Sequence, residues 1–460
     1  MKRIDILPDD VLLGIFDFYV DNGPSYQNKV RTEKWQLLIH VCRRWRTLVL
    51  ASPPRLNLHL FCTPQTPARD TLDFWPALPL LIRGRVVASN TDNIIVALRQ
   101  SSHVCEVDLR LVDWQLEEVL AAMHAPFPEL TDLRLFSYGE TMPAIPNPFL
   151  DGSAPRLRHL TLSGIPFQVL GLPKLFLSAT HLVTLKLFDI PHSAYISPEA
   201  IVALISVLSG LESLSLGFQS PQSRPDRETR PPHPSKRSVI PALILLYFKG
   251  VVEYLEDLVT GIDTPQLYKL EIIFFNQIDF DTPRLAQFIN RTPKLGKREA
   301  IVQFSNSLAR IGFPPGTLQI GISCREPDWQ LSFIGQICNS FLHPLSTVED
   351  LYITRQRWPS FWKNGTIENT LWLQLLLPFT AVKNLYLHSD FEPCIAAALQ
   401  DLDGDRITET LPSLRNIFVK GLKPLGTFQE EIGRFVATRQ IFDQPIAISV
   451  WDKNFNPEWI

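Results

Sequence analysis

The residues of this chain that could do chemistry are scattered rather than grouped. Its six cysteines lie far apart, so no pair has the two-residue spacing of a zinc site or a redox pair. Cys42 follows closely on His40, but a helix turns residues two apart onto different faces. The chain carries no HExxH zinc motif, no phosphate-binding P-loop and no GxSxG nucleophile motif. We therefore predict a protein that is not an enzyme, with no metal and no cofactor, whose cysteines are buried free thiols.

Composition and charge describe a globular protein with no general affinity for polyanions. Of the 460 residues, 45% are hydrophobic and 20% charged, and the net charge is −3, so nothing attracts nucleic acid or an anionic membrane. Asp5, Asp9 and Asp10 interrupt the apolar stretch that a signal peptide would need. No run approaches the roughly 18 apolar residues of a membrane span. The sequence predicts an intracellular protein of the cytoplasm, the nucleus or both.

With no reactive centre to position, the elements of the chain must build binding surfaces, and the first is a helix within residues 6–20. Pro8 opens it where a missing N–H is harmless, and Asp9 and Asp10 suit the positive end of the helix dipole. The apolar residues that follow are too many for one buried stripe: Val11, Leu12, Leu13, Ile15, Phe16, Phe18, Tyr19 and Val20. Such a helix must be covered on more than one side, and we expect another protein to provide the second cover.

Residues 33–52 predict two further short helices. The segment breaks near residues 40–42 and ends at Ser52, Pro53 and Pro54. Three short helices in fifty residues make a very small core, which a module of this size normally completes by docking.

These fifty residues resemble the F-box. The family pattern is a Leu-Pro, spaced aliphatics ending in Ile-Phe, and later Val-Cys-Arg-Arg-Trp-Arg. The matching residues are Leu7, Pro8, Val11, Leu12, Ile15, Phe16, Val41, Cys42, Arg43, Arg44, Trp45 and Arg46. The chain departs from the pattern by an insertion at about residues 21–32, which lengthens the loop after the first helix. An alternative is that these helices form an ordinary cap on a repeat domain.

The F-box resemblance implies a partner. F-boxes dock on the Skp-type adaptor of cullin–RING (SCF) ubiquitin ligases, so the resemblance assigns adaptor contacts to the matched aliphatics and the tryptophan. The residues to which we carry this role are Leu7, Pro8, Val11, Leu12, Ile15, Phe16 and Trp45.

The rest of the chain repeats the template L-x-x-L-x-L-x-x-Φ, where Φ is apolar. Clear copies begin at Leu130, Leu157, Leu182, Leu243, Leu267 and Leu414. Copies without the last apolar position begin at Leu211, Val348 and Val382, and weaker ones near Leu56, Leu78, Val104, Leu318 and Ile446. The clearer copies start about 24 to 34 residues apart, a spacing typical of leucine-rich repeats.

Each copy predicts a strand, and the residues between copies predict a helix that returns the chain. The L-x-L core alternates in and out, as a strand with one buried face does. Residues 196–210 predict a helix with Ser197 as cap and Gly210 as stop, and residues 281–293 repeat this arrangement with Thr282 and Pro283. Residues 117–124 and 428–440 also predict helices. Repetition of strand and helix favours an α/β solenoid with a parallel sheet on its concave side.

Two features limit this fold prediction. A doubly wound α/β domain would also alternate strand and helix, but the chain lacks a glycine-rich phosphate loop. The asparagine that many leucine-rich repeats place after the strand is mostly absent, so the repeats are irregular and their curvature stays open.

A proline-rich insertion at residues 217–238 separates two repeats. Its prolines, serines and mixed charges cannot pack a core, which predicts a flexible loop. It is either a surface insertion without function or a docking site for an aromatic groove.

Taken together, the chain resembles the fungal, mushroom-type F-box proteins with irregular leucine-rich repeats. This predicts a small all-helical F-box at residues 1–55, followed by an α/β leucine-rich-repeat solenoid at residues 56–460. The resemblance implies a substrate-receptor subunit of an SCF-type ubiquitin ligase, which binds the Skp-type adaptor, and through it the cullin–RING ligase, and captures a target protein for degradation. The alternative is a non-catalytic repeat scaffold, or an F-box protein that acts outside a ligase.

A target would contact the residues between the buried leucines, which point out from the sheet. These residues are Arg134, Thr161, Lys186, Ser215, Tyr247, Glu271, Tyr352, Tyr386 and Phe418. Exposed aromatic residues are enriched in interface hot spots. We therefore predict that Tyr247, Tyr352, Tyr386 and Phe418 bind the target, unless the C-terminal tail or long loops cover some of these rings.

Overall fold

The computed structural model describes most of the chain: residues 7–21, 34–53, 56, 58–75, 78–138, 145, 149–166, 174–222, 237–276, 282–292, 294–295, 299–314, 317–340, 345–355, 367–402, 406–420 and 432–451. The fold divides into two compact units, Met1–Leu182 and Val183–Ile460. Within the described residues, no helix combines the length and the hydropathy that crossing a lipid bilayer requires.

The first unit begins with three short helices: α1 Asp9–Asp21, α2 Lys34–Ile39 and α3 Arg43–Leu50. The break between α2 and α3 falls where the sequence places it. The Cys42 thiol accepts a bond of 3.5 Å from the Trp45 amide and so caps α3. Arg44 ties α3 to the start of α1, bonding the Asp9 carboxylate at 2.6 Å and the Leu7 carbonyl at 2.6 Å. The predicted insertion at residues 21–32 lies, beyond Asp21, outside the described residues.

These helices share a small core that continues into the first repeats. Leu12 and Phe16 of α1 are buried, and the Phe16 ring lies 4.7 Å from the Trp45 ring. Trp35 of α2 contacts the segment that follows the helices. Its indole N–H donates to the His59 carbonyl at 3.2 Å, and its ring meets Trp75 edge-on with centroids 5.2 Å apart. The helices therefore belong to the same compact unit as the strands that follow.

The strands of the first unit pair in chain order, and every described pair is parallel. They are β1 Leu60–Cys62, β2 Leu80–Arg85, β3 Val104–Leu111, β4 Asp132–Ser137 and β5 His159–Ser163. The connecting helices are α4 Ala68–Phe74, α5 Thr91–Leu98, α6 Asp113–Ala122 and α7 Lys174–Ser178, with a 3₁₀ turn at Phe149–Gly152. The template leucines of β4 and β5 point into the core between sheet and helices.

The second unit continues the alternation. Its strands are β6 Thr184–Ile190, β7 Ser213–Phe218, β8 Ser238–Val239, β9 Leu245–Gly250, β10 Ile262–Asp263, β11 Lys269–Phe275, β12 Glu299–Phe304, β13 Ala309–Phe313, β14 Leu318–Ser323, β15 Asp350–Arg355, β16 Asn384–His388, β17 Asn416–Lys420 and β18 Ala447–Trp451. Its helices are α8 Pro198–Ser206, α9 Val252–Gly261, α10 Pro283–Asn290, α11 Pro327–Ser340, α12 Asn369–Leu376, α13 Glu392–Gln400, α14 Arg406–Glu409 and α15 Gly433–Ile441, with a 3₁₀ turn at His192–Ala194. The mixed α/β fold with a mostly parallel sheet confirms that part of the fold prediction and is consistent with a leucine-rich-repeat-like solenoid.

The sheet of the second unit departs from chain order in one place. Its strands lie in the order β6, β7, β9, β11, β14, β13, β12, β15, β16, β17 and β18, while β8 and β10 form a separate parallel pair. The chain passes from β11 to β12, returns through antiparallel β13 and β14, and then crosses to β15 beside β12. The sequence analysis did not predict β12 and β13, since neither carries the leucine template.

Two helices of the second unit have their first amides bonded by different side chains, one from the adjacent residue and one from another helix. Ser197 caps α8 as predicted, because its hydroxyl accepts a bond of 3.2 Å from the Ala200 amide. Thr282 makes no such bond at the start of α10. Instead, the Glu256 carboxylate of α9 accepts from the amides of Arg284 at 3.1 Å and Leu285 at 2.8 Å. The prediction that Thr282 caps this helix is therefore wrong, since an acidic side chain from the preceding helix already fills that role.

Most of the predicted insertion at 217–238 lies outside the described residues. At its ends, Gly217 and Phe218 complete β7, and Ser238 begins β8. Phe218 continues the in-and-out alternation of the strand and is buried against Phe248 and Tyr254.

Candidate protein-binding surfaces

Helix α1 presents two apolar faces. Leu12 and Phe16 lie on the face that forms the core of the three helices. On the opposite face, apolar side chains are exposed: Val11 by 43%, Ile15 by 46% and Phe18 by 74%. Val11, Ile15 and Phe18 are spaced by four and three residues and therefore share one side of the helix. We call these three residues the α1 face; scattered exposed apolar residues are common, but three on one side of a short helix form an exposed apolar patch.

The structure divides the seven residues assigned to adaptor binding. Leu12 and Phe16 are buried in the core, where a partner cannot reach them without unfolding the helices. Val11, Ile15 and Pro8 are exposed, and Leu7 and Trp45 are half-buried. Phe18 and Tyr19 were not assigned to adaptor binding, although Phe18 follows Val11 by seven residues and so falls on the same helical side.

The polar sheet face of the first unit carries charges that pair with one another. The Arg83 guanidinium makes two bonds to the Glu106 carboxylate, at 2.6 and 3.1 Å. Arg134 lies 3.3 Å from Asp132 and 3.8 Å from Asp108. Burial raises the pKa of the Asp108 carboxyl, and the neighbouring Arg134 opposes that rise. These residues form a ladder of alternating charge across β2, β3 and β4.

The corresponding face of the second unit carries an aromatic row, which we define as Tyr352, Tyr386 and Phe418. The parallel register of β15, β16 and β17 places these residues side by side. The rings of Tyr352 and Tyr386 stack with centroids 4.3 Å apart, and those of Tyr386 and Phe418 with centroids 4.7 Å apart. Adjacent strands are separated by about 4.8 Å, so ring stacking follows the strand spacing.

Trp451 of the last strand covers one end of this row. The centroid of its ring lies 5.9 Å from that of Tyr352 and 5.6 Å from that of Tyr386, and the Lys420 ammonium lies 5.1 Å from the Trp451 ring centroid. Tyr352 and Trp451 are consequently only 3% exposed, whereas Tyr386 and Phe418 are half-buried. Of the three rings, Tyr386 and Phe418 are therefore the ones that a partner can reach without a rearrangement.

Tyr247 stands apart from the aromatic row. It lies on β9, and β11, β14, β13 and β12 separate that strand from β15. Its ring is half-buried and meets Phe188 edge-on at 5.7 Å. Burial, with Glu271 and Asp189 nearby, raises the pKa of Tyr247 to about 12. The structure thus brings three of the four predicted target-binding aromatics together and leaves the fourth elsewhere; their contact with a target stays a prediction.

A polar row, defined as Glu299, Asp350, Asn384 and Asn416, runs beside the aromatic row. The register pairs these four residues on neighbouring strands β12, β15, β16 and β17. The Asn384 amide donates to Asp350 at 2.7 Å, and the Asn416 amide donates to Asn384 at 2.8 Å. Sequence reasoning missed both this row and Trp451. Asp350, Asn384 and Asn416 each lie two residues before a predicted outward-facing residue, whereas the strands of Glu299 and Trp451 carry no predicted one.

The reactive side chains do not assemble into a centre in the described part of the chain. All six cysteines are free thiols. Burial raises the pKa of the Cys62 thiol to about 11 and also raises that of Cys338, which keeps both thiols protonated and unreactive. No group of three or more histidine, cysteine, aspartate or glutamate side chains that could hold a metal ion occurs among the described residues.

Comparisons with known proteins give little beyond this geometry. No protein-family model matches the chain, and no curated protein matches it. Among solved structures, the chain is similar to LegL7, a leucine-rich repeat-containing protein from Legionella pneumophila. The identity is 12%, the alignment covers 82% of this chain and 98% of that chain, and the TM-score is 0.29. A likeness at that level does not by itself establish fold or function.

Proposed function

We propose that this protein is a substrate-receptor subunit of an SCF-type ubiquitin ligase. In this proposal the N-terminal helices are an F-box of the fungal, mushroom-type repeat family and bind the Skp-type adaptor. The sheet of the second unit binds the target protein, and other subunits carry out ubiquitin transfer. The observation that carries the proposal is the α1 face, whose apolar side chains are exposed while Leu12 and Phe16 of the same helix are core.

A partner that packs on the α1 face would remove its exposed apolar side chains from water. Burying apolar surface contributes about 25 cal/mol for each Å² removed from water. Aromatic anchors at the centre of such a patch contribute most to affinity, which gives the ring of Phe18 a central role.

A repeat scaffold outside a ligase is the second candidate, and one observation favours it. Trp35 of α2 packs on Trp75 and bonds to His59, as expected for helices that cap the first repeats. A cap explains the buried sides of α2 and α3. It gives no account of the apolar side chains that α1 leaves exposed, which is why we place the receptor first.

The two candidates differ in whether the full-length protein captures a purified Skp-type adaptor. We would compare wild type with a Val11→Asp/Ile15→Asp variant, which places charge on the α1 face without touching Leu12 or Phe16. Capture should fall by more than tenfold, since a hot spot contributes at least about 2 kcal/mol. Leu177→Asp, at another exposed apolar side chain of the first unit, is the matched control and should bind as wild type does.

Unchanged circular dichroism must accompany the loss for it to count as loss of an interface. Capture by wild type and control but not by the α1 variant supports the receptor. If wild type itself fails to bind the adaptor, the receptor proposal is wrong and α1–α3 act as a cap on a scaffold.

A further inference from the structure

The polar row contains two carboxylates that the structure does not neutralise. Glu299 and Asp350 are register partners on β12 and β15, so their strands hold them about one strand spacing, ~4.8 Å, apart. Among the residues that the structure describes, neither forms an ion pair with a lysine, arginine or histidine. Asp350 accepts a bond from the uncharged Asn384 amide. The pair is therefore a half-buried site of negative charge on the sheet face.

Neighbouring groups respond to this negative charge. Burial, together with Asp350, raises the pKa of the Glu299 carboxyl. Burial also raises the pKa of the Tyr352 and Tyr386 hydroxyls, and both carboxylates add to the rise in each. Carboxylates and tyrosine oxygens that share one surface favour a ligand with positive charge and several hydrogen-bond donors.

The same face also carries two buried side-chain polar groups. The Trp451 indole N–H and the Thr354 hydroxyl are both more than nine-tenths buried, and neither has a hydrogen-bond partner among the described residues. Thr354 lies two residues beyond Tyr352 on β15 and so points to the same side of the sheet. An indole N–H requires an acceptor such as a peptide carbonyl. Once the Trp451 ring shifts, a bound peptide segment can supply that acceptor, which a free cation cannot.

We propose that Glu299 and Asp350 bind an arginine side chain of the captured protein, presented on a segment that lies along the aromatic row. The proposal rests on the second unit being the target-binding part of the proposed receptor and names the chemistry of that target. A guanidinium has five donors in a planar fork, so it can bond both carboxylates at once. Its flat face and aliphatic stem suit the partly exposed rings of Tyr386 and Phe418. A lysine ammonium is a point charge and is more strongly hydrated, so it binds this pair less tightly.

The test measures how tightly fluorescein-labelled hexa-arginine binds the full-length protein, using fluorescence anisotropy at physiological salt. Glu299→Gln/Asp350→Asn should weaken binding by about tenfold or more, since it removes both partners of a charge-assisted pair. The matched control is Glu117→Gln/Glu118→Gln, which removes the same charge from exposed positions of α6 and should change affinity by less than about twofold. Hexa-lysine should bind wild type several times more weakly than hexa-arginine does.

Each other outcome overturns the inference. Equal weakening by both double variants means general attraction of a polycation, and equal binding of hexa-arginine and hexa-lysine removes the guanidinium argument. Absence of hexa-arginine binding to wild type excludes the site. A fall in the melting temperature of Glu299→Gln/Asp350→Asn would assign the carboxylates a structural role. Because the adaptor assay probes α1 alone, either proposal can fail while the other stands.

Discussion

The sheet faces of the two units are built on the same strand-and-helix alternation but satisfy their polar groups differently. In the first unit, Arg83 bonds Glu106, and Arg134 lies between Asp132 and Asp108. In the second, Glu299 and Asp350 lie beside asparagines and stacked tyrosines, with no cation paired to them among the described residues. These charges of the first face are thus paired with one another, and the second face has charge that a partner can neutralise.

This difference shows how a repeat fold separates stability from binding. The leucines of each strand point into the core, and the residues between them point the other way, so the two sets can vary independently. A paired face contributes a little to stability and presents few unsatisfied groups. An unpaired face lacks that contribution to stability, but its charged groups remain available to bind a ligand. Such a trade-off between stability and function is common.

The largest expected effect comes from removing the most deeply buried ring of the aromatic row. Tyr352→Ala should destabilise the second unit by about 3 kcal/mol, because the ring is buried between Tyr386 and Trp451. Arg134→Ala, in the charge ladder of the first unit, should lose less than about 1 kcal/mol, since its pairs are partly exposed. Urea unfolding gives the change in the free energy of unfolding for each variant. Tyr352→Phe keeps the ring stack and is the control; similar losses for Tyr352→Ala and Arg134→Ala would contradict the comparison.

Removal of the Trp451 ring tests whether the row is covered. Trp451→Ala should destabilise the protein by about 2 kcal/mol, less than for a ring at the centre of a core, because β18 is the last strand. It should also expose Tyr352 to nitration by tetranitromethane, read by mass spectrometry of the peptides. Val450→Ala, at the neighbouring half-exposed residue, should leave Tyr352 protected. Rapid nitration of Tyr352 in the wild-type protein would mean that Trp451 provides no cover.

Neutralising one carboxylate in each unit should give effects of opposite sign. Glu106→Gln breaks two bonds to Arg83 and should lower the melting temperature by about 1 °C. Glu299→Gln removes a charge that lies beside Asp350 and should raise the melting temperature by about 1 °C. Differential scanning calorimetry resolves both shifts. Two shifts of the same sign would show that the faces do not differ in the way the structure indicates.

The smallest expected effect is a pH dependence of the Glu299→Gln gain. The carboxyl pKa of Glu299 is raised above 4.5 in the folded protein, so the folded state binds this proton more tightly than the unfolded chain does. The charged form therefore opposes folding at neutral pH, and that penalty disappears as the pH falls through the raised pKa toward 4.5. The difference in melting temperature between variant and wild type should be present at pH 7 and vanish near pH 4. A difference that grows on acidification would contradict the sign of the pKa shift.

Local features of the sequence were sufficient for many elements. The repeat template predicts β4, β5, β16 and β17, because each spaced pair of aliphatic residues needs one buried side of a strand. Ser197 and Pro198 predict the start of α8, since the cap bond forms within one turn. The likeness of residues 7–46 to the F-box pattern depends on residue order alone, and its functional meaning stays a prediction.

Contacts between distant segments decided the features that sequence analysis missed. The start of α10 depends on Glu256, which lies on another helix, so the nearby Thr282 was a misleading cue. The order β14, β13, β12 depends on a hairpin return, in which the Leu308 carbonyl bonds the Ser305 amide at 2.8 Å. The repeat template does not reveal this antiparallel segment, because β12 and β13 lack the repeated leucines.

By itself, the sequence determined the alternation of strands and helices, the side of each strand that enters the core, and the apolar surplus of α1. These depend on the spacing of side chains along one element, which the backbone geometry sets. Only the tertiary structure decided which side of α1 remains exposed, which rings Trp451 covers, and which carboxylates have no cation beside them in the described part of the chain. Those properties depend on neighbours brought together across many residues of chain, and burial and charge pairing exist only once those neighbours have met.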